Sequence, residues 1–306
     1  MPVHATLTFE TDLQREIYEY VERHGDVTLD ELARSVRIED GPPQSKPARS
    51  GTYAQRVRPP MERLREALGA LENDGYLAVE NGTIRVALAA TPTDHDLEGG
   101  AIRIRPAREV DRDGLIGTMR AVASEGPYVV AENVAARIRR ESALVRVNAD
   151  RSRVFFVAVR DPGDEDESNE AGPDESSEAG PDESSEAGPD ESNASGLDDP
   201  NPEVVGWLHV DAPTMPALEH TAEVTVGVDP GSRREGIGSH LLEYGLEWAA
   251  DVGYRKITQS IPATNEEAIE FLEANGWTTE GVREEQYRIG DEYVDEVQLA
   301  TWLDED

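Results

Sequence analysis

Two arginines and two glycines lie within the segment Arg233-Arg234-Glu235-Gly236-Ile237-Gly238. Backbone N–H groups in the first turn of a helix have no partner inside the helix, and the helix dipole adds positive character there. Glycines let an anion approach such amides, and guanidinium groups add charge and paired donors. The segment therefore has the composition of an anion-binding loop that suits a pyrophosphate, although an ordinary glycine-bearing turn contains the same residue types.

Two common phosphate-binding patterns do not fit this segment. Leu241 stands where the pattern G-x-G-x-x-G requires its third glycine, and no Gly-Lys-Ser/Thr follows. The chain has no cysteine, which excludes a disulfide, a thiolate metal site and a cysteine nucleophile. The six histidines have no metal-ligand spacing, so no metal site is predicted.

The elements on either side of the glycines follow from the spacing of apolar residues. Val224, Val226 and Val228 alternate with other residues, as in a strand, and Asp229-Pro230-Gly231 ends that strand with turn-forming residues. A helix is predicted after Gly236, because the next apolar residues recur at helical spacing. They are Ile237, Leu241, Leu242, Leu246 and Ala249.

The segment from Val228 to Leu242 resembles the coenzyme-binding segment of the GNAT superfamily of N-acetyltransferases, in which Arg/Gln-x-x-Gly-x-Gly/Ala follows a strand. Arg233, Gly236 and Gly238 fill that pattern. The segment from Asn265 to Trp277 resembles the asparagine-led helix of the same family, which ends in glycine and an aromatic residue. The resemblance covers about residues 101–303. It implies a mixed α/β sheet with helices on both faces, of the acyl-CoA N-acyltransferase type.

The resemblance also implies acetyl-CoA as co-substrate and a set of residues that would bind it. Its pyrophosphate is expected on the amides of the loop, and its pantetheine arm on the backbone of the preceding strand, where two adjacent strands of the family splay apart. Asn265 is expected to face the coenzyme, and it is equally suited to cap its helix. The expected coenzyme-binding residues are Val226, Gly227, Val228, Arg233, Arg234, Glu235, Gly236, Ile237, Gly238, Ser239 and Asn265.

The sequence indicates less directly which residues would act as general acid and general base in acetyl transfer. Family members often carry a tyrosine on the asparagine-led helix at the position of Leu272, and leucine cannot donate a proton. Tyr287 and Tyr293 are candidates for that role, with an ordinary strand aromatic as the alternative. Some members of the family carry a glutamate on the strand that follows the one ending at Val228, but here that region reads T-Q-S-I-P, with Ser260 and no acidic residue. Glu223 is therefore the candidate base, directly or through water, unless it is only a solvated strand end. His220 and His240 are weaker candidates.

The amino-acid composition indicates the environment in which the protein works. The net charge is −35, and residues 161–203 contain 17 acidic residues and no basic one, so the rest of the chain still carries −18. Lys46 and Lys256 are the only lysines. Such an acidic, lysine-poor chain resembles proteins of halophilic archaea, whose salt screens like charges. No apolar run is long enough to span a bilayer and no signal pattern opens the sequence, which predicts a cytoplasmic protein without membrane contact.

The first 90 residues have the pattern of a small, mainly α domain. Helices are predicted over 8–24, 28–36 and 60–73, followed by a hairpin over 76–79 and 83–88 with a type I′ turn at Asn81-Gly82. This order resembles a winged helix-turn-helix domain. Residues 45–65 contain six basic residues and one acidic residue, which favours a DNA contact. Docking of a protein partner or a homodimer is the alternative.

The rest of the chain is predicted to form one catalytic domain, residues 101–306, which a linker over 91–100 joins to the first domain. A strand over 101–106, helices over 111–123 and 131–146 and a strand over 153–159 open it. The acidic segment 161–203 contains a repeat of eight residues and is predicted to be disordered. We expect the strands over 153–159 and 204–210 to pair around this insert. Further strands are predicted over 254–261, 282–289 and 293–302, with a helix over 265–275.

These patterns together predict an N-acetyltransferase that moves an acetyl group from acetyl-CoA to a primary amine. The acceptor is a small molecule, a protein N-terminus or a lysine, and the sequence does not choose among them. The alternative is a DNA-binding regulator whose acetyltransferase-like domain senses acetyl-CoA without turnover.

Overall fold

A computed structural model describes residues 7–40, 55–125, 129–148, 151–160, 202–213 and 215–303. The helices are α1 Asp12–His24, α2 Leu29–Ser35, α3 Met61–Asn73, α4 Arg112–Ala123, α5 Val129–Ile138, α6 Ile237–Asp251 and α7 Glu266–Ala274. The strands are β1 Val27–Thr28, β2 Ile38–Asp40, β3 Gln55–Val57, β4 Leu77–Glu80, β5 Thr83–Val86, β6 Thr93–Leu97, β7 Gly100–Pro106, β8 Arg146–Asn148, β9 Arg151–Arg160, β10 Glu203–Ala212, β11 Thr221–Val228, β12 Lys256–Pro262, β13 Thr278–Ile289 and β14 Glu292–Trp302. None of the helices in the described ranges combines the length and the apolar character that a membrane span requires.

The first three helices pack with a small sheet in the order β1-β5-β4 around a core of their own. Thr11 and Thr28 each close a capping box, and this is why α1 begins at Asp12 rather than at residue 8 as predicted. Asn81 and Gly82 have φ of 50° and 80°, as the predicted type I′ turn between β4 and β5 requires. The three helices and the hairpin are thus confirmed, and the winged-helix assignment stays a prediction.

The predicted basic segment is only partly described, because residues 45–54 lie outside the described ranges. In the described part, Arg56 pairs with Glu16 of α1. Arg63 and Arg65 are exposed on α3, where the exposed Glu62 and Glu66 lie beside them in sequence. The described part of this segment thus holds four arginines and one acidic residue, with acidic residues of α1 and α3 beside them, and a DNA contact stays a prediction.

The N-terminal unit is attached to the large sheet through α1 and β8. The hydroxyl of Tyr18 donates to the carbonyl of Val147 at 2.6 Å. Glu22, which is buried, accepts from Nε of Arg146 at 2.7 Å and from Nδ2 of Asn148 at 2.6 Å. These polar contacts connect the unit to the strand that pairs with β9.

In the part of the chain that the structure describes, nine strands form one mixed sheet. Its order is β13-β14-β12-β11-β10-β9-β7-β6, and β8 pairs with β9 beside that path. Helices α4 and α5 pack on one face, and α6 and α7 pack on the other. Alternate residues of β9 contribute to the two cores, for example Phe155 to one and Phe156 to the other. The predicted α/β class and its helices on both faces are confirmed.

One correction concerns the predicted linker over 91–100. Thr93–Leu97 forms β6, which pairs antiparallel with β7 from Leu97 opposite Gly100 to Thr93 opposite Ile104. Asp94 and Asp96 are exposed and alternate with partly buried residues, as the side chains of a strand do. The two charged residues hide this alternation in the sequence. The large sheet therefore begins in the predicted linker.

A second correction concerns the helix predicted over 131–146. Helix α5 ends at Ile138, and β8 begins at Arg146. The guanidinium of Arg112 in α4 donates to the carbonyls of Ile138 at 2.6 Å and Glu141 at 3.0 Å. This side chain satisfies carbonyl groups at the helix end and so stabilises its termination.

The strands around the acidic insert pair as predicted. β9 and β10 are antiparallel, with Val159 opposite Val204 and Val154 opposite Val210. Glu203, which the prediction placed in the insert, is the first residue of β10. The predicted disorder of the insert concerns residues 161–201, which lie outside the described ranges.

The close approach of Trp207 to Gly227 allows a direct test of the packing. The two residues are opposite each other in β10 and β11, and a Cβ atom on Gly227 would overlap the Trp207 ring. We predict that Gly227→Ala lowers the free energy of unfolding by about 1–3 kcal/mol.

Gly69→Ala is the matched control, because a Cβ atom there meets nothing within 4 Å in α3. This variant should gain about 0.5–1 kcal/mol from helix propensity. Urea unfolding followed by circular dichroism measures both values. Equal stability of the Gly227→Ala variant and the parent would contradict the packing described here.

Candidate active site

The site begins where two central strands separate. β11 and β12 run parallel and are paired at three positions, of which Glu223 opposite Thr258 is the last. β11 continues to Val228, paired with β10 on its other side, and β12 continues to Pro262, paired with β14. The edge of β11 from Val224 to Val228 that faces β12 therefore has backbone groups outside any ladder. Such an edge can pair with an extended ligand.

The start of α6 lies directly beyond this edge. Gly236 is its N-cap residue, with φ of 92°, and brings no side chain that could cap the helix. The first-turn amides of Ile237 and Gly238 therefore point out of the helix without a side-chain cap. Arg234 also has a positive φ, 67°, which is uncommon for a residue with a side chain. The backbone here is held in a conformation that exposes amides.

A cavity of about 530 Å³ connects the strand edge with the helix start. Nine of the residues predicted to bind coenzyme line it: Val226, Gly227, Val228, Arg233, Arg234, Gly236, Ile237, Gly238 and Ser239. The opposite wall comes from α7, through Glu267, Ala268, Glu270, Phe271, Leu272 and Ala274. The volume lies in the range of small-molecule sites, so the structure brings these predicted residues together around a space that suits a ligand.

The two arginines of the loop differ in environment. Nη2 of Arg233 lies 2.6 Å from a carboxylate oxygen of Glu125, just after α4, and the Arg233 side chain is largely buried. Nη2 of Arg234 lies 2.9 Å from Glu267 of α7, and its side chain is 85% exposed. Exposed ion pairs are weak and exchange readily, so Arg234 is the more available of the two for an anionic ligand.

A second, smaller cavity of about 40 Å³ adjoins the first. Both cavities are lined by Val122, Val226, Gln259 and Ala268. The smaller one adds Thr225, Ser260 and Asn265, among others. Asn265 caps α7, accepting the N–H of Ala268 at 3.3 Å. Its predicted capping role is confirmed, and its predicted contact with coenzyme stays a prediction.

A band of polar residues crosses the sheet on the α4–α5 face, starting at Glu223. Glu223 is opposite Asp211 of β10, and the backbone N–H of Ser260 is hydrogen-bonded to it on the other side. Further along, the hydroxyl of Tyr287 donates to Oε1 of the buried Glu296 at 3.0 Å. The two predicted catalytic residues thus lie in one polar band, and Ser260 links that band to the smaller cavity.

The neighbours of Glu223 shift its affinity for protons. Its side chain keeps contact with solvent, although the surrounding protein removes part of its hydration. That desolvation, followed by the charges of Asp211 and Glu296, raises the pKa of Glu223, against smaller opposing effects of Arg137 and the Ser260 amide. A carboxylate with a raised pKa is a stronger base, which suits proton abstraction from an amine.

Tyr287 is held as a neutral phenol. Desolvation and then its hydrogen bond to Glu296 raise the pKa of Tyr287 above its usual range. Arg283 also reaches Glu296, with Nη1 3.0 Å from Oε2. Because its proton is directed at Glu296, Tyr287 is better arranged to orient that carboxylate than to release a proton.

Several predicted residues lie away from this arrangement. The side chain of Glu235 pairs with Arg160 of β9 and does not line either cavity. Tyr293 is 66% exposed near the β13–β14 turn, and His220 is exposed before β11. His240 packs against His95 of β6, with ring centroids 4.1 Å apart and the ring planes tilted by 31°.

The sequence prediction missed Gln259 and the α7 wall. In β12 the buried apolar residues Ile257 and Ile261 flank a buried glutamine, and a polar residue at a core position of a strand is the signal that could have found it. On α7, Glu267, Phe271 and Ala274 recur at helical spacing. Leu272, in the place of the expected tyrosine, is buried and is itself part of this wall.

Residues 164–277 match the model of the family described as "Acetyltransferase (GNAT) family". This match supports a GNAT acetyltransferase domain in this chain. A curated relative, "Putative phosphinothricin acetyltransferase YwnH" of Bacillus subtilis, is 30% identical over 83 residues, which are 27% of this chain and 51% of the relative. The chain thus spans about half the length of the curated relative that it matches.

Solved structures of similar shape include two acetyltransferase-related proteins. The GCN5-related N-acetyltransferase of Kribbella flavida is 17% identical, with a TM-score of 0.44 over 66% of this chain and 98% of that one. The structure of yncA from Salmonella typhimurium, which contains acetyl-CoA as its cofactor, is 16% identical, with a TM-score of 0.43 over 67% of this chain and 95% of that one.

The two glycines at the start of α6 should respond differently to alanine. At Gly236 the positive φ opposes any side chain, so Gly236→Ala should lower the free energy of unfolding by about 1–2 kcal/mol. At Gly238 a Cβ atom would make ordinary contacts, 3.5 Å from Phe271 and Val228, so Gly238→Ala should be as stable as the parent or slightly more so.

Thermal unfolding of the two variants measures the difference. A Gly236→Ala variant as stable as the Gly238→Ala variant would show that the left-handed conformation of Gly236 is not required.

Proposed function

We propose that this protein is an N-acetyltransferase that moves an acetyl group from acetyl-CoA to a primary amine. The observation that carries the proposal is the single cavity shared by the free edge of β11 and the first turn of α6. One part of such a cavity accepts an extended amide-bearing chain, and the other accepts a pyrophosphate. Acetyl-CoA has both parts, and the family match in this region supports the same donor.

The residues around the large cavity would bind the acetyl donor. Amides from Arg234 through Ser239 would receive the pyrophosphate, with Arg234 adding a guanidinium at the rim. The backbone of Val226, Gly227 and Val228 would pair with the pantetheine arm. The bound acetyl-CoA supplies an activated thioester, and the residues of this chain hold that thioester where β11 and β12 separate.

The acceptor side would use the α4–α5 face of the sheet. An amine must lose a proton to attack a carbonyl carbon, forming a C–N bond while the C–S bond breaks. Glu223 would take that proton, directly or through a water molecule, and Tyr287 would keep Glu296 oriented beside it. The departing thiolate takes up a proton from solvent or from a group of the site.

The acceptor itself is proposed only as a primary amine, of a small molecule or of a protein N-terminus or lysine. The relative in Bacillus subtilis is named for phosphinothricin, which makes a small amino-acid-like acceptor one member of the test panel. We assign residues 1–90 as a winged-helix-like unit, and the large sheet with its helices, which begins at Thr93, as the catalytic domain. The acidic, lysine-poor composition supports a salt-rich cytoplasm as the setting, so assays belong in molar KCl.

The proposal predicts that acetyl-CoA binds to the purified protein and that thiol is released in the presence of an accepted amine. Calorimetric titration in molar KCl measures binding, and a thiol-reactive dye measures turnover with a panel of amines. Binding without turnover on any amine would favour the acetyl-CoA sensor over the enzyme. Absence of binding would contradict the donor site.

The rim arginine provides a matched pair of variants. Arg234→Ala should weaken acetyl-CoA binding by about tenfold in the same molar KCl, because it removes a charged hydrogen-bond donor from the pyrophosphate site. Arg288→Ala is the control, since Arg288 is also exposed and also paired with a carboxylate, Asp291, but lies at the far hairpin. Equal losses in both variants would point to a general charge effect.

The proposed base predicts a pH dependence. Below the raised pKa of Glu223 the carboxylate takes up a proton and can no longer accept one from the amine, so the rate should fall as the pH drops through that pKa. Glu223→Gln should lower kcat by about 100-fold or more. The ratio of the parent rate to the variant rate should decrease toward low pH. Because protonation of the amine slows the parent and the variant equally, it does not change this ratio.

Glu219→Gln is the control for this series, because it makes the same charge change at an exposed position just before β11. A ratio of parent to Glu223→Gln rates that stays constant with pH would exclude Glu223 as the base.

A further inference from the structure

Gln259 is a buried glutamine whose amide oxygen has no partner among the described residues. The residue is 8% exposed, and Oε1 is buried without a hydrogen bond. The flanking residues of the same face, Ile257 and Ile261, belong to the apolar core next to α6. A buried carbonyl oxygen without a donor is costly, and most such groups in folded proteins are paired.

The position of Gln259 connects this atom to the candidate site. It is the first residue of β12 beyond the last pair with β11, Thr258 opposite Glu223. Its side chain lines both the large and the small cavity, together with Val226 and Ala268. The carboxamide therefore stands at the junction of the two cavities, where the strands begin to separate.

The face of the strand decides which ligand group Gln259 meets. Successive side chains of a strand point to opposite faces, so Thr258 and Ser260 share the face of Glu223, where the amine would enter. Gln259 points to the other face, toward α6 and α7, which form the large cavity. The donor side of the site therefore includes Gln259.

We propose that Oε1 of Gln259 accepts a hydrogen bond from an amide N–H of the pantetheine arm and thereby positions the thioester. This inference rests on the proposed function, because it takes acetyl-CoA as the ligand of the large cavity. The unpaired atom is an acceptor, and the arm carries amide N–H donors close to its thioester end. Gln259 would thus be a positioning and specificity residue for the acyl carrier.

The test compares two ligands on the full-length protein. Gln259→Met keeps the length of the side chain and removes its polar atoms. We expect it to weaken acetyl-CoA binding by about tenfold in calorimetry. Adenosine 3′,5′-bisphosphate, which lacks the pantetheine arm, should bind the variant and the parent equally. The melting temperature should rise by a few degrees, since a buried oxygen without a partner has been removed.

Gln14 provides the matched control. It is also a buried glutamine, 4% exposed, but its Oε1 accepts the N–H of Thr11 at 2.8 Å. Gln14→Met should lower the melting temperature and leave both affinities unchanged. Gln259→Ala serves as a second variant with a smaller side chain and should show the same selective loss of acetyl-CoA affinity.

Three results would overturn the inference. Equal weakening of both ligands would show a general disturbance of the site. Unchanged acetyl-CoA affinity with a raised KM for the amine would assign Gln259 to the acceptor. Unchanged affinities with a lowered melting temperature would assign it a structural role. If the parent protein binds neither ligand, the proposed function itself fails, and the inference fails with it.

Discussion

Parallel strands share hydrogen bonds only while they lie about 4.8 Å apart, and β11 and β12 satisfy that condition for three residue pairs. Beyond Glu223 and Thr258 each strand continues with its outer neighbour, so the separation is supported from both sides. The free edge of β11, the junction of the two cavities and the position of α6 all depend on this divergence. A ladder extended to Val228 would close the space in which the candidate site lies.

Because the two strands diverge, the two faces of the sheet can carry different parts of the reaction. On one face, the amides at the start of α6 and the wall of α7 surround a cavity that suits a phosphate-bearing chain. On the other face, desolvation and then the charges of Asp211 and Glu296 raise the pKa of Glu223. The opening between the strands is where groups from the two faces can meet. Donor and acceptor can thus be held by different elements and react at one point.

The sequence predicts the parts of this arrangement that are encoded locally. The capping boxes at Thr11 and Thr28, the turn at Asn81-Gly82 and the loop before α6 all follow from residue types at fixed spacing. The separation of β11 and β12, the end of α5 and strand β6 depend on contacts with distant residues, such as Arg112 at the end of α5. A polar residue between Ile257 and Ile261 marks Gln259 in the sequence, but its unpaired amide oxygen becomes visible only in the packed structure.

A crystal structure of the protein with acetyl-CoA tests the central claim most directly. The account predicts the pyrophosphate on the amides between Arg234 and Ser239 and the pantetheine arm between β11 and β12. It also predicts the thioester at the level of Glu223 and Gln259. A coenzyme bound elsewhere, or strands β11 and β12 paired as far as Val228 in the complex, would contradict it.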